Sequence, residues 1–238
     1  MYVVSKDYLP INTSRRSGKL IDRVAFIVAH DTGNKDSSAQ GNVSYYKSSA
    51  NVITASAHVF IDDKAIIECI PLTEKAWHVL YSKPTDNILF GDDANDVAIG
   101  VELCYFSDSA RTREAYKRYV WYLAHLCRLY KFDAQHITGH HILDPERKTD
   151  PVNALKTIGK TFKDLQDDVA QLITPIKEDK PVTIPKVTDE KNASADKSFV
   201  EAQKWVKANG ISDGTYPHRA VTRQELWSML LRADKAGK

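Results

Sequence analysis

The sequence has 238 residues, 27% of them charged, and a formal net charge of only +2 at pH 7. That length suits one sizeable domain and a smaller one, and the nearly balanced charge argues against the strongly basic surface of a nucleic-acid-binding protein. No apolar run reaches the roughly 20 residues of a membrane span, and residues 1–20 lack the apolar core of a secretory signal, so we expect synthesis in the cytoplasm.

Four apolar runs in the first half of the chain predict β-strands. Val24–Ala29 is apolar throughout, which is typical of a buried strand. Ala55–Ile61 and Ala65–Ile70 flank the turn residues 62–64 and predict a hairpin. Val97–Leu103 is the fourth run, and it ends just beyond an acidic residue, Glu102.

Two helices are predicted after these strands. Apolar residues recur at a spacing of about 3.6 over Arg111–Tyr130, and Lys160–Ile173 has a similar pattern. Strands and helices mix without strict alternation. We therefore predict an α/β domain over residues 1–173, in which a central mixed β-sheet is flanked by helices.

A change of composition separates this domain from the C-terminus. Residues 174–197 contain three prolines, many charges and no aromatic residue, which predicts an extended linker. Residues 198–238 predict a small helical C-terminal module with two helices. Asn209-Gly210 is typical of the end of the first helix, and Thr222 with Glu225 forms a capping box that starts the second.

Several residues of the large domain could bind a metal ion. A catalytic zinc site needs three protein ligands and one open position. His30 follows the first predicted strand, while His140, His141 and Asp150 lie in one polar loop. Loops held by a rigid scaffold often carry catalytic groups. Spacing alone, however, leaves structural roles for these histidines open.

The ordered pattern of these residues resembles a known family. His30 after a strand, the IGVE stretch that ends at Glu102, and the segment from Gly139 to Pro151, which contains GH and RKTDP, are similar to type-2 N-acetylmuramoyl-L-alanine amidases. That family is related to the peptidoglycan-recognition proteins. The resemblance covers about Val24 to Pro151 and implies their mixed-sheet fold.

The resemblance also implies roles for individual residues. It implies a Zn2+ site of His30, His140 and Asp150, with His141 as the alternative second ligand. The family's separation between its second histidine and its aspartate favours His140. Glu102 is implied as the general base, and Lys148 as the positive charge that stabilises the oxyanion.

Two positions depart from the family pattern, and the resemblance also implies residues that contact the substrate in the cleft. Some members have a catalytic tyrosine where this chain has Ala57, and Asp31 stands where relatives often have histidine or an apolar residue. The sequence suggests no role for Asp31. The implied substrate contacts are Trp77, His78, His58 and Thr149. The alternatives are that Trp77 fills the core and that His58 is a packed histidine near the metal.

The C-terminal segment resembles a single S-layer-homology repeat in its GISDG and VTRQE stretches. The resemblance implies that Thr222, Arg223 and Glu225 bind an anionic secondary cell-wall polymer. Residues 198–238 contain seven Lys and Arg against four Asp and Glu, which agrees with an anionic partner. A capping role alone for these residues is the alternative.

Together the two resemblances imply zinc-dependent hydrolysis of the amide bond between N-acetylmuramic acid and L-alanine in peptidoglycan. The expected protein is a phage endolysin that lyses a Gram-positive host, is made in the host cytoplasm and reaches the wall through a holin. The alternatives are a non-catalytic peptidoglycan-binding receptor and a host autolysin. The sequence indicates no oligomeric state.

Overall fold

The computed structural model describes residues 2–81, 84–173 and 200–212, together with residues 229 and 233. The chain forms two compact units, residues 1–177 and residues 178–238. In the described part of the chain, no helix combines the length and apolar character needed to cross a bilayer.

The first unit is built on one six-stranded sheet with strand order β1-β4-β3-β5-β2-β6. Only β3 and β4 pair antiparallel, and the other neighbours are parallel. The predicted mixed sheet flanked by helices is therefore confirmed. The strands are β1 Val4–Lys6, β2 Phe26–Asp31, β3 Val59–Ile61, β4 Ile66–Glu68, β5 Ala98–Leu103 and β6 Ile137–Gly139.

The central strands β2 and β5 form because their residues are apolar and must be covered on both faces. Every residue of β2 is buried, and so is every residue of β5 except the half-buried Glu102. β2 was predicted to end at Ala29 but continues to Asp31, because the pairing with β5 extends through His30 opposite Glu102. His30 therefore lies within the strand and not after it.

Helices cover the sheet and close the domain. The long helix α4 begins after Asp108, whose side chain accepts a hydrogen bond from the Ala110 N–H, and ends at Lys131 in the left-handed conformation. Its buried face includes Tyr119 and Leu123. The helices are α1 Ala39–Ser48, α2 Pro84–Phe90, α3 Ala94–Val97, α4 Ser109–Tyr130, α5 His140–Leu143, α6 Val152–Lys156 and α7 Phe162–Ile173.

The second unit contains helix α8, Val200–Ala208. It ends where the sequence predicted, because Gly210 adopts a positive φ of 66° and the Ile211 N–H bonds to the Val206 carbonyl. Trp205 is exposed on this helix. The predicted linker 174–197 and the predicted second helix lie largely outside the described residues.

Candidate metal centre and catalytic cleft

Parallel pairing brings three polar residues to the same edge of the sheet. β2, β5 and β6 run parallel, so their carboxyl ends meet there. His30 is the fifth residue of β2, Glu102 is the fifth residue of β5, and His140 directly follows β6. The topology therefore assembles residues that are far apart in the sequence.

Two imidazoles and one carboxylate converge at this edge. Nδ1 of His30 lies 2.8 Å from Oδ2 of Asp150, and Nδ1 of His140 lies 3.1 Å from the same oxygen. Each of the three residues offers one ligand atom, and every distance between two of these atoms is at most 4.8 Å. The three residues that the sequence grouped as ligands are thus adjacent in space.

The protonation states of these groups suit metal binding. Burial lowers the pKa of His30 to about 4, so its imidazole is neutral at pH 7. Burial also raises the pKa of the Asp150 carboxyl, but hydrogen bonds from His140 and His30 outweigh that effect and hold it well below its ordinary value. Neutral imidazole nitrogens and an ionised carboxylate are donors that fit a catalytic zinc ion.

His141, the alternative second ligand, points elsewhere. Its backbone N–H donates to the carbonyl of Asp150 at 3.0 Å, and its ring Nδ1 lies 3.2 Å from the same oxygen. Its ring also packs edge-on against Phe162. An added Cβ at Gly139 would lie 2.4 Å from the His141 ring, so the glycine leaves the room that this ring occupies.

His30 is held from two further sides. Its Nε2 lies 3.1 Å from Nδ1 of His78, and the Tyr119 hydroxyl donates to its carbonyl oxygen at 3.2 Å. A contact to the ring such as that of His78 fixes the orientation and tautomer of a metal-binding histidine, whereas Tyr119 holds the backbone of the strand. Tyr119 was not among the predicted site residues, although the helical pattern of α4 could have indicated that this residue faces the sheet.

A cleft of about 460 Å³ opens beside the three residues. Glu102 lines it, and Oε2 of this carboxylate is buried without a hydrogen-bond partner among the described residues. Burial raises the pKa of Glu102 well above its ordinary value, and the nearby Asp150 and Asp31 raise it further. A carboxylate of this kind is suited to accept a proton near neutral pH.

Most of the predicted cleft residues line this same space. Lys148, Thr149, Trp77 and His78 all do so. The Trp77 backbone is held by Ser56, whose hydroxyl accepts from the Trp77 N–H at 3.0 Å. His78 is largely buried, and its Nδ1 lies 3.1 Å from Nε2 of His30. Cleft residues that the sequence analysis missed include Tyr46, Ser56, Arg147 and Asn153.

His58 is the exception, because the structure favours a packed histidine, the alternative to a substrate contact. The side chain is fully buried and does not line the cleft. Its Nε2 lies 2.8 Å from the Glu74 carbonyl oxygen, and its Nδ1 accepts from the Gly100 N–H at 3.0 Å. Both ring nitrogens therefore bond to the backbone, and the His58 side chain connects Glu74 to Gly100 of strand β5.

The residues predicted to bind a wall polymer, Thr222, Arg223 and Glu225, lie outside the described residues.

Sequence comparisons identify similar proteins. N-acetylmuramoyl-L-alanine amidase BlyA of Bacillus subtilis (strain 168) is 28% identical over 141 residues, which cover 56% of this chain and 38% of BlyA. The 1,6-anhydro-N-acetylmuramyl-L-alanine amidase AmpD of Salmonella typhimurium is 33% identical over 100 residues, covering 42% of this chain and 51% of AmpD. The chain thus spans about half or less of the length of these relatives.

A solved structure described as a mutant endolysin from Bacillus subtilis has the same fold. It superimposes with a TM-score of 0.58 and 21% identity, over 71% of this chain and 99% of that one. Residues 21–153, more than half of the chain, match the family described as N-acetylmuramoyl-L-alanine amidase. This range includes His30, Glu102, His140 and Asp150 at the edge of the sheet. The chain therefore belongs to the type-2 N-acetylmuramoyl-L-alanine amidase family.

Proposed function

We propose that this protein hydrolyses the amide bond between N-acetylmuramic acid and L-alanine in peptidoglycan, with Zn2+ held by His30, His140 and Asp150. The observation that carries the proposal is the convergence of two imidazole nitrogens and one carboxylate oxygen on one side of an open cleft. Membership of the amidase family supports the reaction and the substrate class.

The chemistry follows from the groups that share the cleft. A zinc ion supplies Lewis acidity to an amide carbonyl and to water. Glu102, with its unpartnered oxygen and raised pKa, accepts a proton from the attacking water and returns it to the leaving nitrogen.

Lys148 lines the same cleft. Its ammonium group offers positive charge to the oxyanion of the tetrahedral intermediate, an interaction that contributes roughly 3 kcal/mol in comparable sites. Trp77 and Thr149 provide an aromatic face and a hydroxyl group for the sugar or the stem peptide. These roles assign the reaction to Glu102 and Lys148 and the binding of substrate to Trp77 and Thr149.

Analysis of digestion products tests the reaction directly. Purified protein incubated with peptidoglycan should release new N-terminal alanine, detected by mass spectrometry, and no new reducing sugar ends. Metal analysis should find about one zinc ion per chain, and chelation should stop the reaction. Binding to peptidoglycan without any cleavage would instead indicate a receptor, and new reducing ends would indicate a glycosidase.

We also propose that the protein acts as a phage endolysin, with residues 198–238 directing it to an anionic wall polymer. The net positive charge of that segment and its VTRQE stretch support this part of the proposal. The protein, produced inside a Gram-positive host, should lyse the cells only when a holin is co-expressed. Lysis at the same rate without a holin would contradict this delivery route.

A further inference from the structure

The candidate metal centre joins two parts of the chain that are 120 residues apart. His30 belongs to strand β2, and Asp150 belongs to the segment that leads into helix α6. Ligands that are already held near their final positions bind a metal ion more tightly, because less ordering is needed when the ion arrives. The strand and the segment therefore need a connection that does not depend on the ligand atoms themselves.

Asp31 makes such a connection. It is the last residue of β2, and its side chain is buried. Oδ2 accepts a hydrogen bond from the Ala154 N–H at 3.1 Å, in the first turn of α6. Oδ1 accepts from the Gly33 N–H at 3.1 Å and lies 3.5 Å from Nδ2 of Asn153. One carboxylate thus links the end of β2 to the residues that follow Asp150.

The link matters because few hydrogen bonds join these two parts. Among the described residues, the hydrogen bonds that join β2 to residues 149–156 are the His30–Asp150 bond and the bonds of Asp31. An ion held by Nδ1 of His30 and Oδ2 of Asp150 would replace the first of these. Asp31 would then remain as the direct hydrogen-bonded link between strand and segment.

The segment that carries Asp150 also has contacts on the side of β6. The carbonyl of Asp150 accepts from the backbone N–H of His141, which follows β6 by two residues. Asn153, which lies beside Asp31, donates to the Thr149 hydroxyl at 3.0 Å. Asp150 is therefore fixed between contacts from the β6 side and contacts from the β2 side, and Asp31 provides those from β2 that involve no candidate ligand atom.

We propose that Asp31 is a positioning residue, which holds Asp150 at the distance from His30 that metal binding requires. The inference rests on the zinc site of the proposed function and assigns a role to a residue for which the sequence suggested none. Asp31 contacts backbone N–H groups and Asn153. It acts on Asp150 indirectly, by holding the residues that follow Asp150 in the sequence.

Both oxygens of Asp31 act as acceptors, which makes the conservative variant Asp31→Asn informative. An asparagine has the same shape but only one acceptor oxygen, so its amide group would face either the Gly33 or the Ala154 N–H. Asp36→Asn, at an exposed carboxylate, is the control for the loss of a hydrogen bond between side chain and backbone. Asp36 also bonds to a distant backbone N–H, that of Ser107 at 2.7 Å, but it does not line the cleft.

The first measurement is zinc affinity of the metal-free, full-length protein, obtained by competition with a chromophoric chelator. Asp31→Asn should bind zinc about 10-fold to 100-fold more weakly than wild type, with a smaller rise in Tm on zinc addition. Asp36→Asn should match wild type in affinity. A purely structural role would lower the Tm of the metal-free protein without changing affinity, and wild-type affinity in Asp31→Asn would overturn the inference.

The second measurement is hydrogen exchange of the metal-free protein, which does not depend on zinc. The amides of residues 149–156 should exchange faster in Asp31→Asn than in wild type or Asp36→Asn. Unchanged exchange there would overturn the inference even if Asp31→Asn binds zinc more weakly. Failure of wild type to bind zinc would instead contradict the proposed function, and the exchange result would still decide whether Asp31 holds the segment.

Discussion

The ring of His78 lies directly against the backbone of Gly100. A Cβ added to Gly100 would come within 2.6 Å of Cγ of His78, closer than any side chain tolerates. Gly100 lies on β5, where it pairs with Val28 of β2. The glycine thus lets His78 approach the sheet closely enough to contact His30.

Gly100→Ala should displace His78 and disturb His30 through it. Overpacking of a buried site costs about 1–3 kcal/mol of unfolding free energy, and we expect a loss of this size in urea denaturation together with weaker zinc binding. Gly41→Ala, in helix α1, is the control, since alanine favours a helix by up to about 1 kcal/mol. Equal effects of the two substitutions would contradict the role assigned to the Gly100 contact.

Substitution of the proposed general base should separate catalysis from metal binding. Glu102→Gln keeps the shape of the side chain but cannot accept a proton, so the amidase rate should fall by at least about 100-fold. Zinc stoichiometry should remain that of wild type, because Glu102 is not in the His30–His140–Asp150 group. Glu114→Gln, at an exposed ion pair on α4, should leave the rate unchanged. Full activity in Glu102→Gln would show that another group accepts the proton.

The sequence predicted the site better than the layout of the sheet. Pattern and resemblance identified His30, His140 and Asp150, which the structure brings together, because these residues lie in short motifs. The short strands β1 and β6 were not predicted, since three residues carry too little periodicity to be recognised. They form through pairing with β4 and β2, which lie far away in the sequence.

Contacts between distant segments explain the remaining differences. A histidine looks the same in sequence whether it faces a cleft or a backbone, so the sequence left both roles open for His58. The structure shows that the backbones of Glu74 and Gly100 occupy both its nitrogens. The Asp31–Ala154 hydrogen bond spans 123 residues and has no local pattern. Roles of this kind depend on the tertiary structure and cannot be derived from spacing.

His58 should make the stability of the metal-free protein depend on pH. Burial lowers its pKa to about 4 in the folded state, whereas an unfolded histidine titrates near 6.5. Between these values the unfolded chain binds more protons, so stability falls as the pH decreases from about 6.5 towards 4.

The change in unfolding free energy between pH 7.5 and pH 5 tests this assignment. The contribution of His58 should be on the order of 1–2 kcal/mol, so His58→Gln should be less stable at pH 7.5 but lose less on acidification than wild type. His125→Gln, which changes an exposed histidine on α4, is the control. An equal loss on acidification in wild type and His58→Gln would contradict the role of His58.

Removal of residues 198–238 should affect wall-bound and soluble substrates differently. A tethered binding module raises the effective concentration of the catalytic unit at an insoluble surface but does nothing for a small substrate in solution. The truncated protein should therefore sediment poorly with cell walls and digest them slowly, while it cleaves a soluble muropeptide at close to the full-length rate.

A point variant makes the same comparison without removing the segment. Arg223→Ala should reduce wall sedimentation more than Arg219→Ala, because only Arg223 belongs to the VTRQE stretch. Sedimentation should also weaken as salt increases, since the proposed contact joins opposite charges that salt screens. If truncation slows both substrates equally, residues 198–238 contribute to the catalytic unit itself, and the wall-targeting role is wrong.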